Sequence, residues 1–303
     1  MLTGKHLVFI GGDARQLEVI AQVIENDASA TLIGFSDMHR TFTDTEHGEL
    51  SEATLSQADA LVLPIAGMDN DGRVDTQFAA SPVTLTEEHF RALRPGTFVF
   101  TGIARQTLSD WCQAHSLRLV KLMELDEVAI SNSIPTAEGA IAIAMKETEI
   151  TLHGARVVVL GFGRCGQTLA HKLRAMGASV SVCARSAADL ARVDEMSLAA
   201  VEMKDIESVV ATADIVFNTI PALILTAAVL KEMSHDCVII DIASKPGGTD
   251  FRYAERRGLK ALLAPSLPGL VAPKTAGRII AQSVSRILAL ETDGLHGEED
   301  IWS

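Results

Sequence analysis

Short apolar runs alternate with amphipathic segments along most of the chain. In the first half, the apolar runs that predict strands lie at residues 6–10, 30–35, 58–63, 97–101 and 117–122. Segments with helical spacing follow the first run and separate the later ones, at residues 87–93 and 106–115. Strands that alternate with helices indicate a parallel sheet covered by helices on both faces.

The second half repeats this pattern. Strands are predicted at residues 156–160, 179–184, 214–218, 237–241 and 260–263, and a final helix at Lys274–Leu290. Residues 7–24 and 157–173 look like two versions of one strand-turn-helix unit. The sequence therefore predicts an α/β protein built from two tandem, doubly wound parallel-sheet domains.

A helical segment joins the two predicted domains. It opens at Ser133-Ile134-Pro135-Thr136, with the proline in the first turn, where its missing N–H would have no helical partner. We place the N-terminal domain at residues 1–132, completed by a C-terminal helix within residues 274–303. The second domain covers residues 133–273, and the long linking helix is the natural hinge.

The turn after the strand at residues 156–160 has the spacing Gly-x-Gly-x-x-Gly and leads into a helix. In a dinucleotide site the first glycine allows a tight turn, the second lets the backbone approach a pyrophosphate, and the third lets helix and strand pack closely. With strand and helix both present, the motif predicts a bound dinucleotide in a Rossmann-like domain. The predicted contacts are Gly161, Gly163, Arg164, Cys165 and Gly166. The turn at Gly11-Gly12-Asp13 lacks the full motif, so we expect only the second domain to hold the cofactor.

The end of the next strand bears on which dinucleotide binds. Where NAD-binding folds place an acidic residue on the ribose, this chain has Ala184-Arg185-Ser186. A guanidinium and a hydroxyl suit a 2′-phosphate, and Arg192 is a candidate second cation. The sequence therefore favours NADP, although Arg185 as a solvated loop residue is the alternative.

Further turns follow other strands of the second domain. In doubly wound sheets, ligands collect at the carboxyl ends of the strands. We expect one turn to pass the nicotinamide ribose and the next to lie near the ring, although either turn on its own is also explained as loop punctuation. The residues of the first are Asn218, Thr219 and Pro221, and those of the second include Ala243 and Ser244.

Composition narrows the classes of function. The formal net charge of −13 argues against nucleic acid as a partner and means that an anionic ligand must be held by local cations. The four cysteines have neither Cys-x-x-Cys spacing nor a histidine cluster, so we expect no metal and no disulfide framework. The N-terminus is not a signal peptide, and residues 215–230 are too short to span a bilayer. A cytoplasmic location without membrane contact is expected.

Candidate chemistry in the first half is less specific. Arg15, Lys121 and Lys274 are candidates for substrate carboxylates, although a single lysine or arginine is more often a solvated surface charge. Glu124 or Glu138 is a candidate general base, and each is equally explained as a charge at a helix end. The polar residues Asn132, Ser133 and Thr136 are candidate substrate contacts. The insertion at residues 65–85 is either a binding loop or disordered.

The positions of the late histidines bear on the type of dehydrogenase chemistry. Hydroxy-acid dehydrogenases of this layout use a late histidine as acid and base. Here His235 precedes a strand and His296 lies in the acidic tail. Reduction of a 2-keto acid is therefore disfavoured.

Four segments resemble the A-subunit family of bacterial dipicolinate synthases. They are residues 8–17 (VFIGGDARQL), 132–139 (NSIPTAEG), 243–250 (ASKPGGTD) and 267–277 (LPGLVAPKTAG), and the likeness spans residues 2–290. One departure is Lys245 where arginine is expected, which keeps the charge but loses a bidentate carboxylate clamp.

The resemblance implies a sporulation enzyme that acts with a flavoprotein-like B-subunit in the mother cell. Together they would oxidise dihydrodipicolinate to dipicolinate, with NADP as hydride acceptor. In that chemistry Arg15, Lys245 and Lys274 are the expected carboxylate clamps, and Glu138 or Asp241 the base, with Lys274 also near the chemistry. A homo-oligomer is expected as well.

Two other functions stay open. One is an NADP-linked dehydrogenase of another small dicarboxylate, and the other is a non-catalytic NADPH-binding protein that supports the B-subunit.

Overall fold

The computed structural model describes residues 1–292, which form two compact units. One contains residues 1–129 together with residues 273–292, and the other contains residues 130–272.

The first unit is an α/β unit around a six-stranded sheet. The strands of this sheet are β1 (His6–Ile10), β2 (Ser29–Ile33), β3 (Thr45–His47), β4 (Ala60–Val62), β7 (Phe98–Thr101) and β8 (Arg118–Lys121). The strands β5 (Arg73–Val74) and β6 (Val83–Thr84) form a separate two-stranded sheet. The helices of this unit are α1 (Ala14–Glu25), α2 (Glu52–Ser56), α3 (Glu87–Arg91), α4 (Gln106–Ala114), the start of α5 (Asp126–Glu147), and α12 (Pro273–Thr292), with a 3₁₀ turn at Leu122–Glu124.

The second unit repeats the design. Its strands are β9 (Arg156–Leu160), β10 (Ser179–Ala184), β11 (Ala199–Glu202), β12 (Ile215–Asn218), β13 (Val238–Asp241) and β14 (Lys260–Leu263). Its helices are most of α5, α6 (Arg164–Ala175), α7 (Ala187–Glu195), α8 (Ile206–Val210), α9 (Ala227–Leu230), α10 (Phe251–Arg256) and α11 (Leu267–Val271), with a 3₁₀ turn at Met203–Asp205.

Both six-stranded sheets have the same strand order. The first is ordered β3-β2-β1-β4-β7-β8 and the second β11-β10-β9-β12-β13-β14, and every neighbouring pair is parallel. This is the doubly wound order, in which the chain reverses its direction across the sheet beside the first strand. The predicted fold class is confirmed.

The central strands of each sheet are buried on both faces, which explains their continuous apolar runs. In β9, Val157 and Val159 belong to one core cluster while Val158 and Leu160 belong to the cluster on the other face. Successive side chains of a strand point to opposite faces, so a strand covered by helices on both sides carries apolar residues on both. The strand β1 follows the same rule.

The helix α12 completes the first unit by packing against α1. Its buried residues Ile280, Val284 and Ile287 join the core cluster of Val19 and Val23. Close approach of the two helices depends on Gly277, because a Cβ there would lie 2.5 Å from the carbonyl oxygen of Arg15.

The linking helix begins earlier than predicted. It starts at Asp126, so Pro135 lies in its interior and not in its first turn, and the prediction of a start near Ser133 was wrong. The first turn carries two acidic residues, which favour a helix N-terminus, and Val128 anchors this part in the core. Near the proline, hydroxyls of Ser133 and Thr136 donate to helix carbonyls at 2.6 and 2.7 Å.

By length and composition, α5 is also the one helix within residues 1–292 that is long enough and apolar enough to cross a membrane. Half of its most apolar 18-residue window is buried. Core helices pass the same test, so this is weak evidence for a membrane span.

Candidate functional site

The Gly-rich turn of the second unit joins β9 to α6. Gly161 has φ of +96°, and a Cβ there would lie 2.5 Å from the Thr219 hydroxyl oxygen. Both the backbone angle and the close contact therefore require glycine. Gly163 caps α6, and a Cβ on it would meet nothing within 4 Å.

The third glycine brings α6 against this turn. A Cβ on Gly166 would overlap the carbonyl of Gly161. Gly163 is exposed, so the first turn of α6 is open to a ligand on that side. The first N–H groups of a helix have no partner within it, and they favour an anion. This geometry suits a diphosphate.

Arg164 is exposed beside this turn, and Cys165 is partly buried. Burial raises the pKa of the Cys165 thiol, against the opposing effects of Arg164 and a hydrogen bond with Thr136. The thiol is therefore protonated at neutral pH and acts as a small neutral group.

The end of β10 lies beside the Gly-rich turn, because Gly161 donates its N–H to the carbonyl of Cys183 at 2.9 Å. Arg185 and Ser186 follow directly and are exposed. Ser186 caps α7 by accepting the N–H of Asp189 at 3.0 Å. No acidic residue stands at the position that selects NAD in such folds.

Arg192 is less available than predicted. Its Nη1 lies 3.0 Å from Oε2 of Glu195, one turn along α7. Both side chains are about two-thirds exposed, so the ion pair is weak. The positive charge of Arg192 is nevertheless partly compensated by Glu195.

A buried network joins the loops that follow β12 and β13. The Nδ2 of Asn218 donates to Oδ1 of Asp241 and to the carbonyl of Ile220, both at 3.0 Å. Asp241 Oδ1 also accepts the N–H of Ala243 at 3.1 Å, and its Oδ2 accepts from Gly248 N and Thr249 Oγ1 at 2.8 and 2.7 Å.

Asp241 therefore has a structural role, and the hypothesis that it is the base is not supported by its geometry. The side chain is completely buried, and its two oxygens accept four hydrogen bonds. A base must reach the substrate proton. Asp241 instead fixes the loop that contains Ala243, Ser244 and Lys245, the last two of which are exposed.

The loop after β12 lies against the Gly-rich turn. Thr219 donates its N–H and its hydroxyl to the carbonyl of Leu160 at 3.0 and 2.8 Å. Pro221 is exposed. The structure thus brings the loops after β9, β12 and β13 together at one edge of the sheet, as the sequence predicted.

The polar residues of α5 face α6. The hydroxyls of Ser133 and Thr168 lie 2.6 Å apart, and Thr136 contacts Cys165. Asn132 is buried one turn earlier. Ser133 and Thr136 therefore flank the first turns of α6, where the Gly-rich turn ends.

Glu138 lies farther from that edge. Its Oε1 accepts from Lys172 Nζ at 2.9 Å, and Lys172 is eight residues into α6, about 12 Å along its axis from Arg164. The carboxylate is 58% exposed. The geometry does not support Glu138 as the base, and it explains the residue as an exposed ion-pair partner.

In the first unit, Arg15 is held by Asp13. The guanidinium contacts both carboxylate oxygens, at 2.5 Å for Nη2 and Oδ2 and at 2.9 Å for Nε and Oδ1. Burial tends to raise the pKa of Asp13, but the hydrogen bond and charge of Arg15 outweigh it and hold this pKa below its ordinary value. Lys274 is exposed in the first turn of α12, one turn before Gly277, which packs on the backbone of Arg15.

Other candidates take minor roles. Lys121 and Glu124 pair with each other at 3.4 Å. His235 lies just before β13, at the amino ends of the strands, and His296 lies outside the described residues. Within residues 1–292, no group of three or more histidine, cysteine or acidic side chains is placed to hold a metal.

The Gly-rich turn of the first unit is closed by its own chain. Gly12 donates its N–H to the carbonyl of Asp75 at 3.0 Å and accepts from Gln77 N at 2.8 Å. A Cβ on Gly11 would lie 2.9 Å from the same Asp75 oxygen. The carbonyl of the inserted loop thus accepts the hydrogen bond of the Gly12 N–H group, which is no longer available to a phosphate.

From the sequence, the insertion at residues 65–85 was either a binding loop or disordered. In the structure it is folded. It contains the antiparallel pair β5–β6 and lines a cavity of about 470 Å³ with Arg15. Two further arginines, Arg73 and Arg105, line this cavity, and sequence analysis missed both. Arg105 follows a predicted strand by four residues, and that position was the available signal.

Two family models match the chain. The N-terminal domain of the dipicolinate synthase A-subunit matches residues 6–123. The NAD binding domain of the D-isomer specific 2-hydroxyacid dehydrogenases matches residues 135–245. The second match supports a nicotinamide cofactor in the second unit.

Individual relatives agree with these models. The chain is 45% identical over 269 residues to the dipicolinate synthase A-subunit of Bacillus subtilis (strain 168), and the match covers 89% of this chain and 91% of that protein. A crystal structure of the dipicolinate synthase A-subunit from Bacillus halodurans is 48% identical, with a TM-score of 0.92 over 95% of this chain and 99% of the other.

More distant structures share only the fold. The transhydrogenase from Sinorhizobium meliloti is 16% identical, with a TM-score of 0.67 over 94% of each chain. The resemblance inferred from the four motifs is confirmed by the curated and structural matches. The chain belongs to the dipicolinate synthase A-subunit family, and its second unit is a nicotinamide-binding domain of the dehydrogenase type.

Proposed function

We propose that this chain oxidises dihydrodipicolinate to dipicolinate with NADP, acting together with a flavoprotein-like B-subunit. The observation that carries the proposal is the open Gly161–Gly166 turn with Arg185, and no carboxylate, at the end of the neighbouring strand. Family membership supports the substrate class. Cytoplasmic action in the mother cell of a sporulating bacterium and a homo-oligomeric assembly belong to the same proposal.

The cofactor is held by backbone and basic groups. The first N–H groups of α6 bind the diphosphate, and the absence of a side chain at Gly163 gives the phosphates access. The Arg185 guanidinium and the Ser186 hydroxyl bind the 2′-phosphate. Bound NADP⁺ supplies a hydride acceptor.

The loops after β12 and β13 position the nicotinamide end. Asn218 and Asp241 hold these loops in one conformation through a fully buried network. Because that network is satisfied within the protein, Thr219, Ala243 and Ser244 are presented without reorganisation, which is the protein's main contribution to a step that depends on positioning.

The substrate is bound by its carboxylates. Arg15, Lys245 and Lys274 are the proposed cations, and Asn132, Ser133 and Thr136 are proposed polar contacts. Oxidation removes a hydride and a proton from the dihydropyridine ring, and the product gains aromatic stabilisation. Since Glu138 and Asp241 are both engaged elsewhere, we assign the proton to solvent and Lys274 to carboxylate binding.

One observation favours a second candidate function. Neither predicted base is available for proton transfer. A non-catalytic NADPH-binding protein that supports the B-subunit would need no such base. A dehydrogenase of another small dicarboxylate remains the alternative enzyme.

One assay separates the three. Purified chain is mixed with NADP⁺ and dihydrodipicolinate, with and without the B-subunit, and the absorbance of reduced nicotinamide is followed. The proposal predicts NADPH formation matched by dipicolinate, and a loss of rate in Lys274→Ala. Cofactor binding without hydride transfer under both conditions would indicate the non-catalytic protein, and turnover only with a different dicarboxylate would indicate the alternative enzyme.

A further inference from the structure

A cavity in the first unit lies at the carboxyl ends of three strands. Gly12 follows β1, Pro64 follows β4, and Arg105 lies four residues after the end of β7. Its volume of about 470 Å³ is within the range of about 300–1,000 Å³ that is usual for small-molecule sites. Because β1 lies between β2 and β4, this is the switch point of the sheet, where doubly wound folds bind ligands.

Three arginines line this cavity, and they differ in how they are held. Arg15 is paired with Asp13 at 2.5 Å. Arg105 donates from Nη1 to the carbonyl of Met68 at 2.5 Å, and no ion pair of Arg105 is found among residues 1–292. A carbonyl oxygen holds a guanidinium in place without cancelling its charge, so Arg105 presents to the cavity a guanidinium that is held but not ion-paired.

The lining also contains Asp13, Asp69 and Asp75, so its formal charges balance, but neither Asp69 nor Asp75 pairs with Arg105. Asp69 Oδ1 accepts the N–H groups of Asp71 and Arg73 at 2.9 and 2.8 Å, so this carboxylate shapes the loop. The Asp75 side chain is 89% exposed, and its Oδ1 lies 3.7 Å from Arg73 Nε. Such an exposed contact contributes little.

The loop that carries Arg73 is fixed in place. Thr76 donates its hydroxyl to the carbonyl of Gly34 at 2.6 Å, and the backbone of Gly12 bonds to both neighbours of Thr76. A site whose parts are held before the ligand arrives loses less conformational entropy on binding.

We infer that this cavity binds a small dicarboxylate, with Arg105 and Arg73 as carboxylate ligands beside Arg15. The planar fork of a guanidinium pairs with a carboxylate through two parallel hydrogen bonds. Arginines on two separate segments suit a ligand with two carboxylates. That the ligand is a ring dicarboxylate rests on the proposed function, whereas the cavity and its charges do not.

The test is calorimetric titration of the full chain with dipicolinate in metal-free buffer. Wild-type protein is expected to bind dipicolinate more tightly than picolinate, which has one carboxylate. Arg105→Ala and Arg73→Ala should each weaken dipicolinate binding by about tenfold or more, with Arg105→Lys intermediate. The control Arg91→Ala, an exposed arginine of α3, should bind as wild type.

Loss of the Met68 contact is a risk in Arg105→Ala, and Arg73→Ala keeps that contact and tests the site independently. Wild-type affinity in both alanine variants, or no dipicolinate binding by the wild type, would overturn the inference. Titration with NADPH, which should be unchanged in both variants, separates this result from the proposed function. Arginine-dependent binding without hydride transfer would leave the cavity assignment standing and remove the enzyme proposal.

Discussion

The side-chain amide of Asn218 donates to the carboxylate of Asp241 at 3.0 Å, with both side chains completely buried. The two residues end neighbouring strands, since they are partners in the register of β12 and β13. Their contact ties together the two loops that follow these strands. It also changes the interpretation of Asp241, which is an organiser of the site and not a free carboxylate.

Replacing Asp241 by Asn separates these two roles. An amide NH₂ cannot accept the hydrogen bonds that Oδ2 receives from Gly248 and Thr249. We expect Asp241→Asn to lower the free energy of unfolding by about 2–4 kcal/mol, measured by chemical denaturation. Asp236→Asn, at an exposed aspartate, is the control. Unchanged stability with abolished turnover would instead favour a direct role in proton transfer.

The glycines of the Gly161–Gly166 turn should respond differently to alanine. Gly163 has φ of −74° and open space around it, so Gly163→Ala should fold normally but weaken NADPH binding by about tenfold or more, because a methyl group occupies the phosphate approach. Gly166→Ala should destabilise the fold, because its Cβ overlaps the Gly161 carbonyl. Thermal unfolding and NADPH fluorescence titration measure both. Full affinity in Gly163→Ala would place the phosphates elsewhere.

Arg185 should determine the preference for NADP. Arg185→Ala is expected to weaken NADPH binding by about 10–100-fold, the worth of a charge-assisted hydrogen bond, and to leave NADH affinity unchanged. Arg192→Ala should have a smaller effect, since its guanidinium is paired with Glu195. Equal losses for both dinucleotides would show that Arg185 does not contact the 2′-phosphate.

The ion pair of Asp214 and Arg156 should make stability depend on acid pH. The hydrogen bond that Asp214 accepts from Arg156 lowers the pKa of this carboxyl group in the folded chain. A carboxyl with a lowered pKa contributes stability above its unfolded pKa of about 3.9, and this contribution is lost as the pH falls through the folded pKa. Asp214→Asn should therefore flatten the loss of stability below about pH 4, in denaturation at a series of pH values. Asp194→Asn, exposed and outside this pair, should keep the wild-type slope.

Much of the fold was predictable because the central strands of both sheets are buried on both faces, whereas the exposed outer strands β3 and β11 were not predicted. A strand such as β9 is then a continuous apolar run, which is easy to recognise. The prediction failed at α5, where Pro135 looked like a helix start. A proline inside a helix removes a backbone hydrogen bond and clashes with the preceding turn, so the local sequence favoured a helix start at that position.

The nucleotide-binding turn was predictable because its chemistry is carried by consecutive residues. The cavity of the first unit was not, because Arg15, Arg73 and Arg105 come from three separate segments and meet only through the sheet topology. The roles of Glu138 and Asp241 were also beyond sequence analysis. Whether a carboxylate is free depends on its partners, Lys172 in one case and Asn218 in the other.

The central claim is that the Gly161–Gly166 turn holds NADP. Calorimetric titration of the full chain with NADP⁺ and NADPH tests it most directly, with NAD⁺ and NADH as comparisons. We predict one site per chain that prefers the 2′-phosphorylated forms. Absence of binding for both NADP⁺ and NADPH would contradict it.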